Sequence, residues 1–216
     1  MLTYPVRVAL IVLLVSGLTA CVSDRMVTLR YAPDPGVARL TGAQALTVFR
    51  FADHRGDEGD RNPLRAGGIY GTSGSRVAKV LTASPWPDTL AQDLTAGFAA
   101  REVEAVARAD QEYVPGTSPV STPLALSGEI RNFSSEMRWT IQAHVSGIIR
   151  LYDQRGTLLL EKQISARIPR DASAAHLLPA KSGRDILETY LNGAVEVFVR
   201  NVVTDPDLTR LLVANH

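Results

Sequence analysis

The chain has 216 residues, of which 45% are hydrophobic and 21% charged, and its formal net charge is +1. These values suit a globular protein with one sizeable core, and the balanced charge excludes the basic surplus typical of a nucleic-acid binder. Aromatic residues make up only 6%, which disfavours a site built on stacking, and a single cysteine, Cys21, excludes an internal disulfide.

The first element is an apolar leader. Arg7 supplies one positive charge, Val8 to Val15 run uninterrupted, and Ser16 and Gly17 break the run before Leu18-Thr19-Ala20-Cys21. The run is shorter than the roughly 20 residues a membrane span requires and suits an export signal. The stretch resembles a bacterial lipoprotein signal, with residues 18–21 as the lipobox. That resemblance implies cleavage between Ala20 and Cys21, a diacylglycerol on the Cys21 sulfur and an acyl group on the new amino terminus. A lipid-bearing sulfur does no chemistry, and several acyl chains exceed the two signals that stable anchoring takes. Val22 and Ser23 follow where an aspartate often marks inner-membrane retention, so the expected address is the periplasmic face of the outer membrane. Removing residues 1–20 takes away Arg7 alone among the charges, leaving 22 Lys and Arg against 22 Asp and Glu.

Residues 21–43, with Pro33 and Pro35, read as the lipid attachment site followed by a flexible tether, and residues 44–216 as a single periplasmic domain. Residues 44–51 predict a strand covered on both sides. Residues 52–74 are polar, glycine-rich and long for a loop. A short strand is expected at 75–82. Residues 84–109 then predict one helix, capped by Asp88, with Leu90, Leu94, Phe98, Ala105 and Val106 along its apolar side. Residues 110–123 carry three prolines and read as a connector.

From Leu124 the period changes to two. Leu124, Leu126, Gly128 and Ile130 share one face, opposite Ala125, Ser127, Glu129 and Arg131. Residues 139–151 alternate in the same way, with Trp139 placed on the apolar side. After a turn at 153–156, residues 157–168 alternate again, interrupted by Lys162. The three segments predict an antiparallel meander, apolar inside and polar outside. A second long helix is expected at 182–203, with Ser182 and Asp185 resembling a capping box, and a short one at 205–213 behind Asp205-Pro206. The expected fold is α+β, with an antiparallel or mixed sheet and two long helices packed on one face.

Chemistry-bearing motifs are sparse. Asp53, His54, Asp57, Glu58 and Asp60 could in principle face a cation, but their spacing does not match a calcium loop, and Arg55 and Arg61 offset the acid. Residues 52–60 therefore read as a solvated loop. The Gly67–Gly71 stretch lacks the spacing of a phosphate loop and reads as a turn or a close backbone approach. None of the four histidines joins a metal or hydrolase motif. No catalytic, cofactor-binding or metal-binding residue is assigned. The polar face of the meander, with Gln142, His144, Ser146, Arg150, Glu161, Gln163 and Arg167, is the candidate partner-binding face.

The lipobox, the β-rich run ending in Asp53-His54-Arg55, the helix around Leu90–Val106 and the antiparallel segments with a final helix resemble, in their order, the YajG-like outer-membrane lipoproteins. The resemblance implies an anchored α+β envelope domain, non-enzymatic, without cofactor, that meets the membrane through Cys21. The segment Ala83–Leu90 also resembles the tryptophan-containing entry into the helix of ABC-type transport auxiliary lipoproteins. That likeness implies an adaptor in lipid traffic whose partner is a transporter protein.

Overall fold

The computed structural model describes residues 23–56, 62–168 and 183–214. Ala20 and Cys21 lie outside them, as do Asp57, Glu58, Asp60, Arg61 and Ser182, on which the acidic loop and the capping box were expected.

The elements, in chain order, are β1 (Arg25–Val27), β2 (Leu46–Arg50), β3 (Ala52–Asp53), β4 (Arg65–Tyr70), β5 (Arg76–Thr82), α1 (Trp86–Ala99), β6 (Ala105–Glu112), β7 (Leu124–Met137), β8 (Ile141–Asp153), β9 (Leu158–Ile168), α2 (Gly183–Val203) and α3 (Pro206–Val213). The strands form one mixed sheet, so the fold is α+β, with the two long helices expected and the short third one. Strand β7 is its spine. Along one side it pairs parallel with β2, β3 and β4 in succession, and along the other it pairs antiparallel with β8 over nearly its whole length. Strand β9 continues the meander beyond β8. Strands β1 and β6 lie at opposite ends of the path β1-β5-β4-β7-β2-β6.

The period-two pattern decides which face is dry. Leu126, Ile130, Val145, Ile149, Ile164 and Ala166 join a single core with Leu90, Leu94 and Phe98 of α1 and Leu187, Leu191, Ala194 and Phe198 of α2. Both long helices thus cover the same face. They cross at Gly97, where an added Cβ would lie 3.0 Å from Val199 and Val203. Helix α3 begins at the expected cap: the Asp205 carboxylate accepts from the backbone N–H groups of Asp207 and Leu208. Lys162, which interrupts the apolar side of β9, reaches the same spot and pairs with Asp205 at 2.6 Å and Asp207 at 2.9 Å.

Four expectations give way. The helix at 84–109 ends at Ala99, and Ala105–Glu112 is strand β6. Glu102 adopts φ 63°, a left-handed turn that stops the helix. The chain then pairs parallel with β2, from Leu46 opposite Ala105, and β6 alternates half-buried and exposed positions. Its helix-forming residues yield to that pairing. Asp88 sits in the first turn of α1, and the cap position is Pro85, with no side-chain cap. Trp139 lies in the β7–β8 hairpin turn and is 77% exposed, outside the apolar face assigned to it. The stretch 21–43 is not all tether: β1 pairs parallel with β5, Val27 and Leu40 are buried, and Arg101 donates to the Ala38 carbonyl.

Candidate functional site

The face of the sheet turned away from the helices carries the side chains of the meander's polar positions. Cross-strand register sets His144, Ser146, Ile148 and Arg150 of β8 opposite Arg167, Ser165, Gln163 and Glu161 of β9, with Gln142 next along β8. Arg167 donates to Gln142 Oε1 at 3.0 Å, the His144 ring lies 3.1 Å from the Ser165 hydroxyl, and Arg150 Nε donates to Glu161 at 2.6 Å. All seven expected face residues therefore share one surface. They differ in availability: Ser146 is buried, and Arg150 is held in ion pairs.

The organising group of this face is Glu129 of β7, which was read only as one of several polar alternates. It is buried, receives Arg131 at 2.7 Å and Arg150 at 3.4 Å, and lies 3.6 Å from the His54 ring. Burial pushes its carboxyl up, but the hydrogen bond from Arg131 and the charges of Arg150 and His54 outweigh that and hold it below the ordinary value. Glu129 and Arg131, two residues apart, share the face that the alternation gives them. A β-bulge between Ile130 and Asn132, which has no signature in the alternation, leaves Arg131 out of the register with β8. Burial and the neighbouring Arg167 charge lower the His144 pKa. One end of this face is closed by an aromatic group: Tyr113 lies 4.9 Å from Phe49 and 4.8 Å from Tyr152.

A second cluster joins the two sequence signals behind the family resemblances. Asp53 and Arg55 form a bidentate pair, 2.8 and 2.7 Å. The remaining Arg55 donors reach the carbonyls of Asn62, Arg65 and Phe133. The guanidinium lies 4.8 Å from the centroid of Trp86, which stacks on Phe133 at 4.5 Å. Arg55 thus ties the polar stretch after β3 to β4, β7 and the start of α1. Its five N–H groups are spent on structure. Above it opens a cavity of about 400 Å³ lined by Arg65, Gly67, Tyr70, Arg131, Ser134 and Glu136, among others.

The glycine-rich stretch is not a turn but strand β4, and Gly67 supplies the other expected feature, a close backbone approach. An added Cβ there would fall 1.9 Å from the Ser135 carbonyl oxygen. Asp53 is committed to Arg55, and His54 faces Glu129. Among the described residues no group of three His, Cys, Asp or Glu side chains is placed to hold a metal. The surface carries hydrogen-bonding and charged groups that are largely paired with one another.

No family model matches the sequence, and no curated protein matches it. Solved structures do. A Xanthomonas campestris protein of the DUF330 family superposes with a TM-score of 0.57 at 14% identity, covering 86% of this chain and 95% of that one. This likeness establishes a shared fold. A Chlamydia trachomatis hypothetical protein aligns at TM-score 0.45 and 10% identity, over 80% of this chain and 100% of its own. Lipoprotein GNA1162 from Neisseria meningitidis aligns at 0.30 and 15%, over 72% and 98%. Both superpose too loosely to carry an argument. Among the described residues no helix is long and apolar enough to cross a membrane.

Proposed function

We propose that the protein is a non-enzymatic lipoprotein of the bacterial envelope, anchored through lipidated Cys21, that binds another envelope component with the outer face of its sheet. The observation that carries this reading is the one-sided build. Both long helices cover one face, and on the other the strands β8 and β9 present a mostly polar surface, interrupted by Ile148 opposite Gln163. A sheet face of paired hydrogen-bonding groups at fixed spacing suits recognition of a folded partner. The lipobox supplies the address, with the outer membrane's periplasmic face as the expected location.

A second reading, the auxiliary lipoprotein of a lipid transport system, is favoured by the segment Ala83–Leu90. Its tryptophan, Trp86, opens α1 fully buried, stacked between Arg55 and Phe133. Kinship with YajG-like lipoproteins belongs to the first reading and rests on the order of elements alone.

A photo-crosslinking residue placed at His144 or Gln163 in intact membranes tests both readings. The expected outcome is a discrete adduct from these positions and none from Val106, on the far edge strand. A transporter subunit in the adduct selects the second reading. Equal or absent adducts at all three positions refute a partner on this face.

A further inference from the structure

The lipidation reading fixes more than an address, because very little chain separates Cys21 from the fold. Asp24 is already tied down: its carboxylate accepts the backbone N–H of Lys79 at 2.9 Å. Strand β1 then pairs parallel with β5, from Arg25 opposite Val80. Three peptide steps link Cys21 to Asp24, so whatever their path the lipidated residue lies within about 11 Å of it. Parallel pairing means that the described chain enters β1 from the side of the β4–β5 hairpin. The surface at that end has a composition suited to lipid headgroups. Met26 is 43% and Val77 46% exposed; register places Met26, opposite Leu81, on the face that Lys79 shares, and Val77 stands at the irregularity beside it. Arg76 and Lys79 are exposed beside them, and Arg25, opposite Val80 and so on the alternate side of β1 from Met26, is exposed at the strand's start. Of the acids here, Asp24 accepts the Lys79 backbone N–H, Glu188 accepts that of Thr28, just after β1, and Glu136 is paired with Arg138.

From this geometry we propose that the end of the sheet formed by β1 and the β4–β5 hairpin lies on the bilayer, with Met26 and Val77 at headgroup depth and Arg25 and Lys79 facing anionic lipid. The inference rests on lipidation of Cys21. A short leash brings this patch to the membrane, and the basic residues add electrostatic attraction near an anionic surface. The candidate partner face then stands beside the membrane, held in one orientation.

The test uses the full chain, processed and lipidated in cells and reconstituted into vesicles of phosphatidylethanolamine and phosphatidylglycerol. Val77→Cys and Val106→Cys, equally exposed in the folded domain at 46%, are labelled with a fluorophore. Mass spectrometry first verifies the lipid on Cys21. Headgroup spin-labelled lipid is expected to quench the label at 77 strongly and the label at 106 little. Combining Arg25→Glu with Lys79→Glu, or replacing phosphatidylglycerol by phosphatidylcholine, is expected to reduce binding of the patch several-fold. Equal quenching at 77 and 106 on lipidated protein overturns the docking while leaving the anchor intact. Quenching indifferent to charge overturns the anionic contact. A Cys21 without lipid overturns both this inference and the reading on which it rests.

Discussion

Two buried carboxylates receive opposite treatment in this protein. Glu129 is surrounded by cations and kept ionised. Asp93 of α1 is half-buried, its Oδ2 has no hydrogen-bond partner among the described residues, and burial pushes its pKa up to about 7. Its neighbours are Tyr31, whose own pKa is raised by burial and by Asp93, with Glu196 and Arg200 close by. The folded state therefore holds the Asp93 proton more tightly than the unfolded state, where the ordinary value is 3.8. Stability should fall as pH rises from about 4 to about 7 and then level off. The full shift would be worth about 4 kcal/mol, and water reaching the half-exposed side chain reduces this to about 2 kcal/mol. Asp93→Asn should accordingly stabilise the protein by about that amount at pH 8 and much less at pH 5. Urea unfolding at the two pH values measures the difference, and an equal effect at both would reject the assignment.

Elements differed in how openly the sequence declared them. The meander was legible because Ala143, Val145, Ile149 and Leu151 alternate without interruption and both partner strands alternate in register with it. Helix α3 was legible because Asp205-Pro206 is a local cap that works without tertiary help. Strand β6 was not, because Ala105, Arg108, Gln111 and Glu112 all tolerate a helix and only pairing with β2 makes them a strand. The stop signal was Glu102 in a conformation usually left to glycine or asparagine. Strand β4 was hidden for the reverse reason, since glycines depress strand propensity while Gly67 is required where β4 meets β7. Of the site, the alternating polar positions were legible. The Glu129 network and the Arg55–Trp86 contact join residues far apart in sequence and were not. Gly67→Ala should cost more than about 3 kcal/mol, since its Cβ would strike the Ser135 backbone and φ is 139°. Gly74→Ala, with φ 80° but open space around it, should cost only about 1 kcal/mol of backbone strain. Thermal or urea unfolding compares the two, and equal losses would mean that contact with β7 does not set the cost.

For the whole molecule, the lipoprotein reading makes anchoring and folding separable. On that reading Cys21, upstream of β1 in the sequence, carries only the lipid, so Cys21→Ser should leave stability unchanged while abolishing processing and membrane retention. Fractionation and unfolding of the same variant check both halves. Normal maturation would exclude the lipoprotein reading, and a destabilised domain would mean that the leader region participates in the fold.

The position of β7 as the spine has a kinetic consequence. Strands β2, β3 and β4 all pair with a strand that begins at Leu124, so a chain that emerges amino terminus first, as the proposed export would have it, delivers the flanks of the sheet before its centre. Until β7 has emerged, β2 has no parallel neighbour but the edge strand β6, and the β4–β5 hairpin stands alone. Two-stranded pieces of this kind are marginal in water and carry open edges that invite association with other chains. The sheet closes only late, through contacts between residues far apart in sequence, which makes for slow folding. An early lipid anchor would hold those waiting strands at the membrane surface, away from one another, through the interval in which they are most prone to mispair.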